Sequence, residues 1–155
     1  MHGTMVPSAL DSSLYIPELK NRRREAAVAE LVACAHRAGA VRRPEALIEL
    51  IARREAMASS APGKSIAIPS ARSLSVIESR IVVGRSTRGI EWHAPDRQPV
   101  QIVLLVLSPA ECPLSVHVEG ILRLAAVFRL QRHRQRLIEA DSYEAAAAVL
   151  REAMA

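Results

Sequence analysis

Two side chains of this sequence could do covalent chemistry at positions that a substrate could reach. Ser70 follows the apolar run 65–69, which predicts a short strand stopped by Pro69 with a polar residue just beyond it. His117 lies near the predicted start of a helix, where the helix dipole disfavours a charged imidazole and favours a nearby anion. The pair could form the nucleophile and base of a hydrolase, but no acidic orienting residue or oxyanion motif is recognisable. We therefore do not predict a hydrolase.

Anion-binding side chains stand just before Ser70. Arg54 shares a predicted helical face with Leu47 and Ile51, at spacings of three and four residues. Its stem could cover the core while its head reaches water, or its guanidinium could face an anion beside the following loop. That loop, residues 58–64, is small and polar and contains Ser59 and Ser60.

The charge of the chain is basic and comes almost entirely from arginine. The formal net charge of the 155 residues is +5, and the sequence pI is about 10.0. This excess of positive charge has two explanations: the arginines lie on solvated faces of alanine-rich helices, or they bind an acidic partner. A basic surface for nucleic acid or acidic lipid ranks last among the functions considered, because clustered aromatic residues and a base-reading motif are both missing.

Composition places the chain among single-core globular domains. Half of the residues (50%) are hydrophobic and only 3% are aromatic, so Leu, Ile, Val and Ala must build the core. Cys34 and Cys112 are too few for a disulfide framework or a metal site, and we expect neither a metal nor a cofactor. No apolar run approaches the roughly 20 residues that span a membrane, and no secretory signal is visible. We expect a cytoplasmic domain without membrane insertion.

The first half of the chain predicts a short edge strand and two helices before residue 65. The strand covers residues 14–16, and the first helix begins after a capping Asn21 and ends at Gly39. Pro44 favours the first turn of the second helix. The buried stripe of the first helix comprises Ala27, Leu31, Ala35 and Ala38.

The second half predicts strands over residues 80–84, 89–92 and 100–107, the last being a central strand, followed by three helices. Asp141 and Glu144 resemble a capping box for the terminal helix. This order predicts an α/β fold, a three-layer α/β/α sandwich around a mixed sheet. Residues 1–10 are predicted to be a flexible leader, and residues 11–155 one domain. The predicted buried face of the helix 114–129 comprises Val118, Ile121, Ala125 and Phe128.

Three patches in matching order carry a family resemblance. Arg54-Glu55 is followed sixteen positions after the arginine by Ser70, and residues 90–100 read Ile-Glu-Trp-His-Ala-Pro-Asp-Arg-Gln-Pro-Val. The third patch is His117 followed by Ile121, Leu124, Ala125 and Phe128 on one predicted helix. Together they resemble the type-2 enzyme IIA domains (fructose, mannitol and nitrogen-regulatory types) of the bacterial phosphotransferase system. The resemblance extends from about residue 11 to residue 155 and implies the enzyme IIA fold.

The resemblance implies roles for the candidate site residues. In the family, a histidine after the proline accepts a phosphoryl group from a phosphocarrier protein, and Ser70 stands in its place here. Arg54 corresponds to the phosphate-facing arginine, Ser59 and Ser60 to the phosphate loop, and His117 to a second histidine. A serine hydroxyl without a base is a poor nucleophile, and a phosphoserine ester is too stable to pass its phosphate onward. Alanines also replace family glycines beside these residues, at Ala58, Ala61 and Ala71.

Two functions follow from this departure. The first is a degenerate enzyme IIA domain that acts as a regulatory, protein-binding module; its partner would be the phosphocarrier protein, or a regulated transporter or kinase. The alternative is a working phosphocarrier that uses His117 or a non-standard acceptor such as a serine. Helical patterning equally allows His117 to be a buried, hydrogen-bonded core residue.

Overall fold

The computed structural model describes residues 13–155, which form one sheet and five helices. The predicted leader, residues 1–10, and the predicted start of the domain at residue 11 lie outside the described residues, so both stay predictions. The strands are β1 (Leu14–Ile16), β2 (Ile66–Ala67), β3 (Ser70–Ser73), β4 (Arg80–Ile90) and β5 (Val100–Pro109). The helices are α1 (Arg24–Arg37), α2 (Pro44–Met57), α3 (Leu114–Val127), α4 (Gln131–Glu139) and α5 (Tyr143–Met154).

The sheet is mixed, with β5 at its centre. β5 runs antiparallel to β4 on one side and parallel to β2 and β3 on the other, and β1 lies parallel to β4 at the edge. The apolar run of β5 is buried almost throughout, which confirms the prediction of a central strand covered on both faces. β1 confirms the predicted edge strand.

The helices cover the two faces of the sheet, which confirms the three-layer α/β/α sandwich. Alternate residues of β5 belong to different cores: Leu105 and Leu107 pack with α1 and α2, whereas Leu104 and Val106 pack with α3, α4 and α5. Within residues 13–155, none of the helices has the length and apolar composition that crossing a bilayer requires.

Several local predictions need correction. β4 is one strand of 11 residues, where the sequence indicated two short strands. Its antiparallel partner β5 pairs with it on both sides of the polar stretch, and an irregularity in register lies between Arg85 and Ile90. The cap of α5 is Ser142, whose hydroxyl accepts from the Ala145 amide at 3.1 Å, and not Asp141. Asn21 does not cap α1; its side chain donates to Glu30 at 2.7 Å.

Two predicted helical faces are confirmed except for one residue each: Ala27, Leu31 and Ala35 of α1 are buried, and Ile121, Ala125 and Phe128 pack in the core beneath α3. Val118 of α3 is exposed, and the buried residues of that helix are His117, Gly120 and Leu124. Ala38 of α1 is exposed as well, since the helix ends at Arg37 before the stripe reaches it. Gly39 has φ +82°, the left-handed conformation that ends helices, as predicted.

Candidate functional site

Ser70 opens strand β3. The sequence placed it in a turn beyond a strand, but the chain resumes pairing directly after Pro69, whose carbonyl accepts from the Val106 amide at 2.9 Å. Ser70 pairs with Val106 of β5 and is half-buried. The proline interrupts the edge strand and leaves β2 only two residues long, because it has no N–H to donate to the ladder.

The last turn of α2 presents Arg54 and buries Glu55. The predicted apolar face of Leu47 and Ile51 continues to Glu55, which is 7% exposed, and Arg54 is exposed instead of sharing that face. The reason is periodicity: Glu55 follows Ile51 by four residues and stays on the core side of the helix. Arg54 therefore has its guanidinium in solvent at the end of the helix, where an anion could reach it.

Glu55 organises the loop between α2 and β2. Its Oε1 accepts a hydrogen bond from the Ser60 amide at 3.0 Å and another from the indole nitrogen of Trp92 at 3.1 Å. The same indole N–H lies 3.3 Å from the Ser60 hydroxyl, and Arg24 lies 4.0 Å from Glu55. A buried carboxylate is stable only with such partners, so the loop and the indole are fixed to the helix end.

Ser59 and Ser60 differ in their surroundings. Ser60 is half-buried, and its carbonyl accepts from the Ile68 amide at 3.0 Å, which joins the loop to the segment before Ser70. Ser59 is exposed and accepts from the Ala61 amide at 3.2 Å. Both hydroxyls act as acceptors in these contacts, and their hydrogens stay free to donate to an anion.

Three of the predicted site residues line one cleft of about 470 Å³: Arg54, Ser60 and Ser70. Glu55, Met57 and Ala58 complete its lining, and Met57 is 86% exposed at its edge. The cleft thus brings a guanidinium and two hydroxyls together at one end of α2. His117 does not belong to this lining.

His117 is buried in the first turns of α3. It is 2% exposed, and its Nδ1 lies 2.7 Å from the hydroxyl of Ser108, a fully buried residue of β5. Nε2 is buried as well and has no hydrogen-bond partner among the described residues. The interpretation of a core histidine therefore fits the first ring nitrogen and leaves the second unexplained.

Burial lowers the pKa of His117, and the positive charges of Arg54 and Arg72 lower it further. The imidazole is consequently neutral at pH 7, and the start of α3 adds to this preference. Arg72 is half-buried in β3, and its Nε donates to the Cys112 carbonyl at 2.6 Å. The two arginines place positive charge around His117 and the cleft.

Sequence reasoning missed three residues that shape this region. Glu55 was read only as part of the Arg-Glu motif, although its spacing from Ile51 indicates burial. Ser108 is a polar residue in an apolar strand, and Trp92 is the single tryptophan of the chain. Neither carries a signal that would name its partner, since each contact joins residues of two different secondary-structure elements or loops. Among the described residues no group of three or more His, Cys, Asp or Glu side chains could hold a metal ion.

The fold belongs to a known class of α/β domain. The chain matches the model of the family described as "Phosphoenolpyruvate-dependent sugar phosphotransferase system, EIIA 2" over residues 9–153. This chain is therefore a member of the type-2 EIIA family, which confirms the family predicted from the three sequence patches.

Two curated relatives carry fructose-specific names. The chain is 32% identical over 127 residues to the fructose-specific EIIABC component of Bacillus subtilis, covering 82% of this chain and 20% of that protein. It is 29% identical to the fructose-specific EIIA component of Haloferax volcanii over 97% of this chain and 94% of the relative. The chain thus spans about a fifth of one relative and nearly all of the other.

Solved structures agree on the fold. The nitrogen regulatory protein IIA-Ntr of Neisseria meningitidis has a TM-score of 0.76 at 25% identity, over 89% of this chain and 91% of that one. Enzyme IIAMTL of Escherichia coli, solved in complex with phosphorylated enzyme IIBMTL, has a TM-score of 0.75 at 17% identity over 98% of both chains. At that identity the second likeness supports the fold alone.

Proposed function

We propose that this chain is an EIIA-type domain that regulates or binds a protein partner and does not carry phosphoryl groups. The observation behind the proposal is the residue at the start of β3: Ser70 occupies the cleft position where the resemblance places the acceptor histidine. Within residues 13–155 its hydroxyl has no hydrogen bond to a basic side chain. A serine without a base does not attack a phosphohistidine at a useful rate.

Partner binding is supported by what the cleft retains. Arg54 is exposed beside Ser60, and Met57 presents an apolar side chain that is 86% exposed at the edge. An exposed arginine and methionine beside a concave surface suit a protein contact. Enzyme IIAMTL, a structural relative, forms a complex with phosphorylated enzyme IIBMTL, so we expect a partner of this kind, the phosphocarrier protein, or a regulated transporter or kinase. A cytoplasmic location stays a prediction.

The second candidate is a working phosphocarrier that uses His117. The neutral imidazole and its unpartnered Nε2 favour this function, since Nε2 carries the lone pair that would attack phosphorus in the tautomer whose Nδ1–H donates to Ser108. Burial opposes it, because a side chain that is 2% exposed must move before a phosphoryl donor can reach it. Arg54 and Ser59 or Ser60 would hold the phosphate in this case.

Phosphorylation separates the two candidates. The protein is incubated with phosphoenolpyruvate, enzyme I and the phosphocarrier protein, and its intact mass is measured before and after acid treatment. We expect no added phosphate on the wild type. The Ser70→His variant serves as the positive control, because it restores an imidazole beside Arg54 and should gain an acid-labile phosphate.

Three results would contradict the proposal. An acid-labile phosphate on the wild type that disappears in His117→Gln would establish the second candidate. An acid-stable phosphate that disappears in Ser70→Ala would identify a serine ester. Equal affinity of wild type and Arg54→Gln for the phosphocarrier protein, measured by calorimetry with Arg53→Gln as the matched control, would argue against docking at this cleft.

A further inference from the structure

A second cleft, separate from the one at Ser70, lies between the residues before α1 and the turn before β5. Its volume is about 620 Å³, which falls within the roughly 300–1,000 Å³ of small-molecule sites. Its lining is unusually rich in arginine. The residues that line it are Arg22, Arg23, Gly89, Glu91, Trp92, His93, Ala94, Arg97, Gln98 and Pro99.

The three arginines of this cleft make no ion pair within residues 13–155, although the pKa of Glu25 is lowered by a backbone hydrogen bond, by Arg24 and, to a smaller extent, by the charge of Arg23. The ion pairs of the described residues involve other arginines, and the guanidinium groups of Arg22, Arg23 and Arg97 make no hydrogen bond within residues 13–155. Glu91 is the single acidic residue of the lining. Like charges that converge without partners repel one another, and they attract a ligand with several negative charges.

The backbone of the cleft is held in a conformation that costs energy. His93 and Arg97 have φ of +63° and +60°, in the left-handed region that is unfavourable for residues with a side chain. Hydrogen bonds fix the turn in this form: the Arg97 amide donates to the Ala94 carbonyl at 3.0 Å, and Asp96 accepts from the Gln98 amide at 3.1 Å. The turn therefore presents the Arg97 and His93 side chains on a preformed wall.

We propose that this cleft binds a small polyanion that carries two or more linked phosphates. Arginine suits such a ligand, because its planar guanidinium donates paired hydrogen bonds to phosphate oxygens. Arg22 and Arg23 supply one wall and Arg97 the other, and His93 adds a donor. This binding requires no phosphoryl transfer at Ser70 and adds a ligand to the function proposed above.

The ligand would act on the loop beside Ser70 through two contacts. Trp92 lies in the cleft lining, while its indole N–H reaches Glu55 and Ser60 at 3.1 and 3.3 Å. Asp96, in the same turn, accepts from the Lys64 amide at 2.7 Å, at the far end of the loop. A polyanion that shifts this turn therefore shifts both ends of the loop and its affinity for a partner.

The test uses inorganic tripolyphosphate as the probe, with the full chain. Binding is followed by calorimetry and by the fluorescence of Trp92, the single tryptophan. We expect saturable one-site binding that weakens by about tenfold or more in Arg97→Gln and in Arg22→Gln/Arg23→Gln, the loss that follows when charged hydrogen bonds disappear. All three side chains are exposed, so these variants should fold; circular dichroism checks this.

The matched control is Arg42→Gln/Arg43→Gln, which removes the same charge from an adjacent exposed pair before α2, outside the cleft. An equal loss of affinity in the control would show that binding follows net charge, and would overturn the site. Binding of a short single-stranded DNA more tightly than tripolyphosphate would overturn the assignment to a small molecule. A nucleoside triphosphate that binds more tightly than tripolyphosphate, with the same dependence on Arg97, would support the site and add a nucleoside to the ligand.

Discussion

Glu55 is a buried carboxylate whose Oε1 serves two distant donors, the Ser60 amide and the Trp92 indole. These contacts hold the loop after α2 and the Trp92 indole at the end of that helix. The alternation of a buried acid and an exposed base at the end of α2 explains how one dipeptide can position a loop and present a cation at once.

Replacing Glu55 by alanine should lower the free energy of unfolding by about 1–3 kcal/mol, because buried donors lose their acceptor. Urea unfolding followed by Trp92 fluorescence measures the change. Glu55→Gln keeps Oε1 and should lose less, and Glu49→Ala, on the exposed face of the same helix, should change stability by under about 0.5 kcal/mol. A loss in Glu49→Ala as large as in Glu55→Ala would contradict this assignment.

His117 should make stability depend on pH. Its pKa in the folded protein is lowered from the ordinary value of 6.5, first by burial and then by Arg54 and Arg72. Below pH 6.5, His117 therefore binds a proton more readily in the unfolded chain than in the folded protein. The contribution of His117 is fully present above that pH and is lost as the pH falls towards the folded pKa, by at most about 1.4 kcal/mol per pH unit.

Urea unfolding between pH 8 and pH 5 tests this dependence. His117→Gln should unfold more easily at pH 8 but show a shallower loss on acidification than the wild type does. His93→Gln, at an exposed position, should keep the wild-type slope. Parallel curves for wild type and His117→Gln would rule out His117 as the source.

At the scale of elements, the sequence predicted the types and order of most helices and strands, and their ends less well. Apolar periodicity is a property of the whole segment, which is why α2, β5 and α5 could be predicted. The identity of a helix cap depends on which of two neighbouring polar side chains accepts a hydrogen bond from the first amides of the helix. Asn21 donates to Glu30 in the middle of α1 instead of capping that helix, and no local pattern reveals that choice.

The cap of α5 allows a comparison of two adjacent residues. Ser142→Ala should cost about 1 kcal/mol, since the Ala145 amide loses its acceptor. Asp141→Ala, at the residue that the sequence indicated, should cost a few tenths of a kcal/mol through the helix dipole alone. Thermal unfolding of both variants decides between them, and a larger loss in Asp141→Ala would reassign the cap.

At the scale of the whole molecule, β5 connects two cores that otherwise touch different helices. Leu104 faces α3, α4 and α5, and Leu105 faces α1 and α2; both are fully buried. Cutting back either leucine removes contacts from one core only. Because β5 contributes side chains to both cores, we expect loss of either leucine to destabilise the whole domain.

Leu104→Ala and Leu105→Ala should each lower the free energy of unfolding by about 2–5 kcal/mol. Trp92 lies in the same core as Leu105, so its fluorescence reports the unfolding of that core. Circular dichroism reports the helices of both layers. We expect the two signals to give one transition in both variants. A Leu104→Ala protein that loses ellipticity before its fluorescence changes would show that the layers unfold separately.

The assembly of the site could be predicted only in part. The sequence identified Arg54, Ser60 and Ser70 as neighbours through the family resemblance, and the cleft contains all three. It could not predict that His117 bonds Ser108, or that the 93–99 turn reaches the loop through Trp92 and Asp96. Such contacts depend on how layers pack, which a linear pattern does not encode.

The interruption at Pro69 also bears on how this domain behaves at high concentration. The outer edges of the described sheet are β1, with three residues, and the pair β2 and β3, with two and four residues on either side of the proline. Neither edge offers a long row of free N–H and C=O groups to a strand of another molecule. We therefore expect the break that precedes Ser70 to limit edge-to-edge aggregation, and a Pro69→Val variant to pair more readily with its own copies.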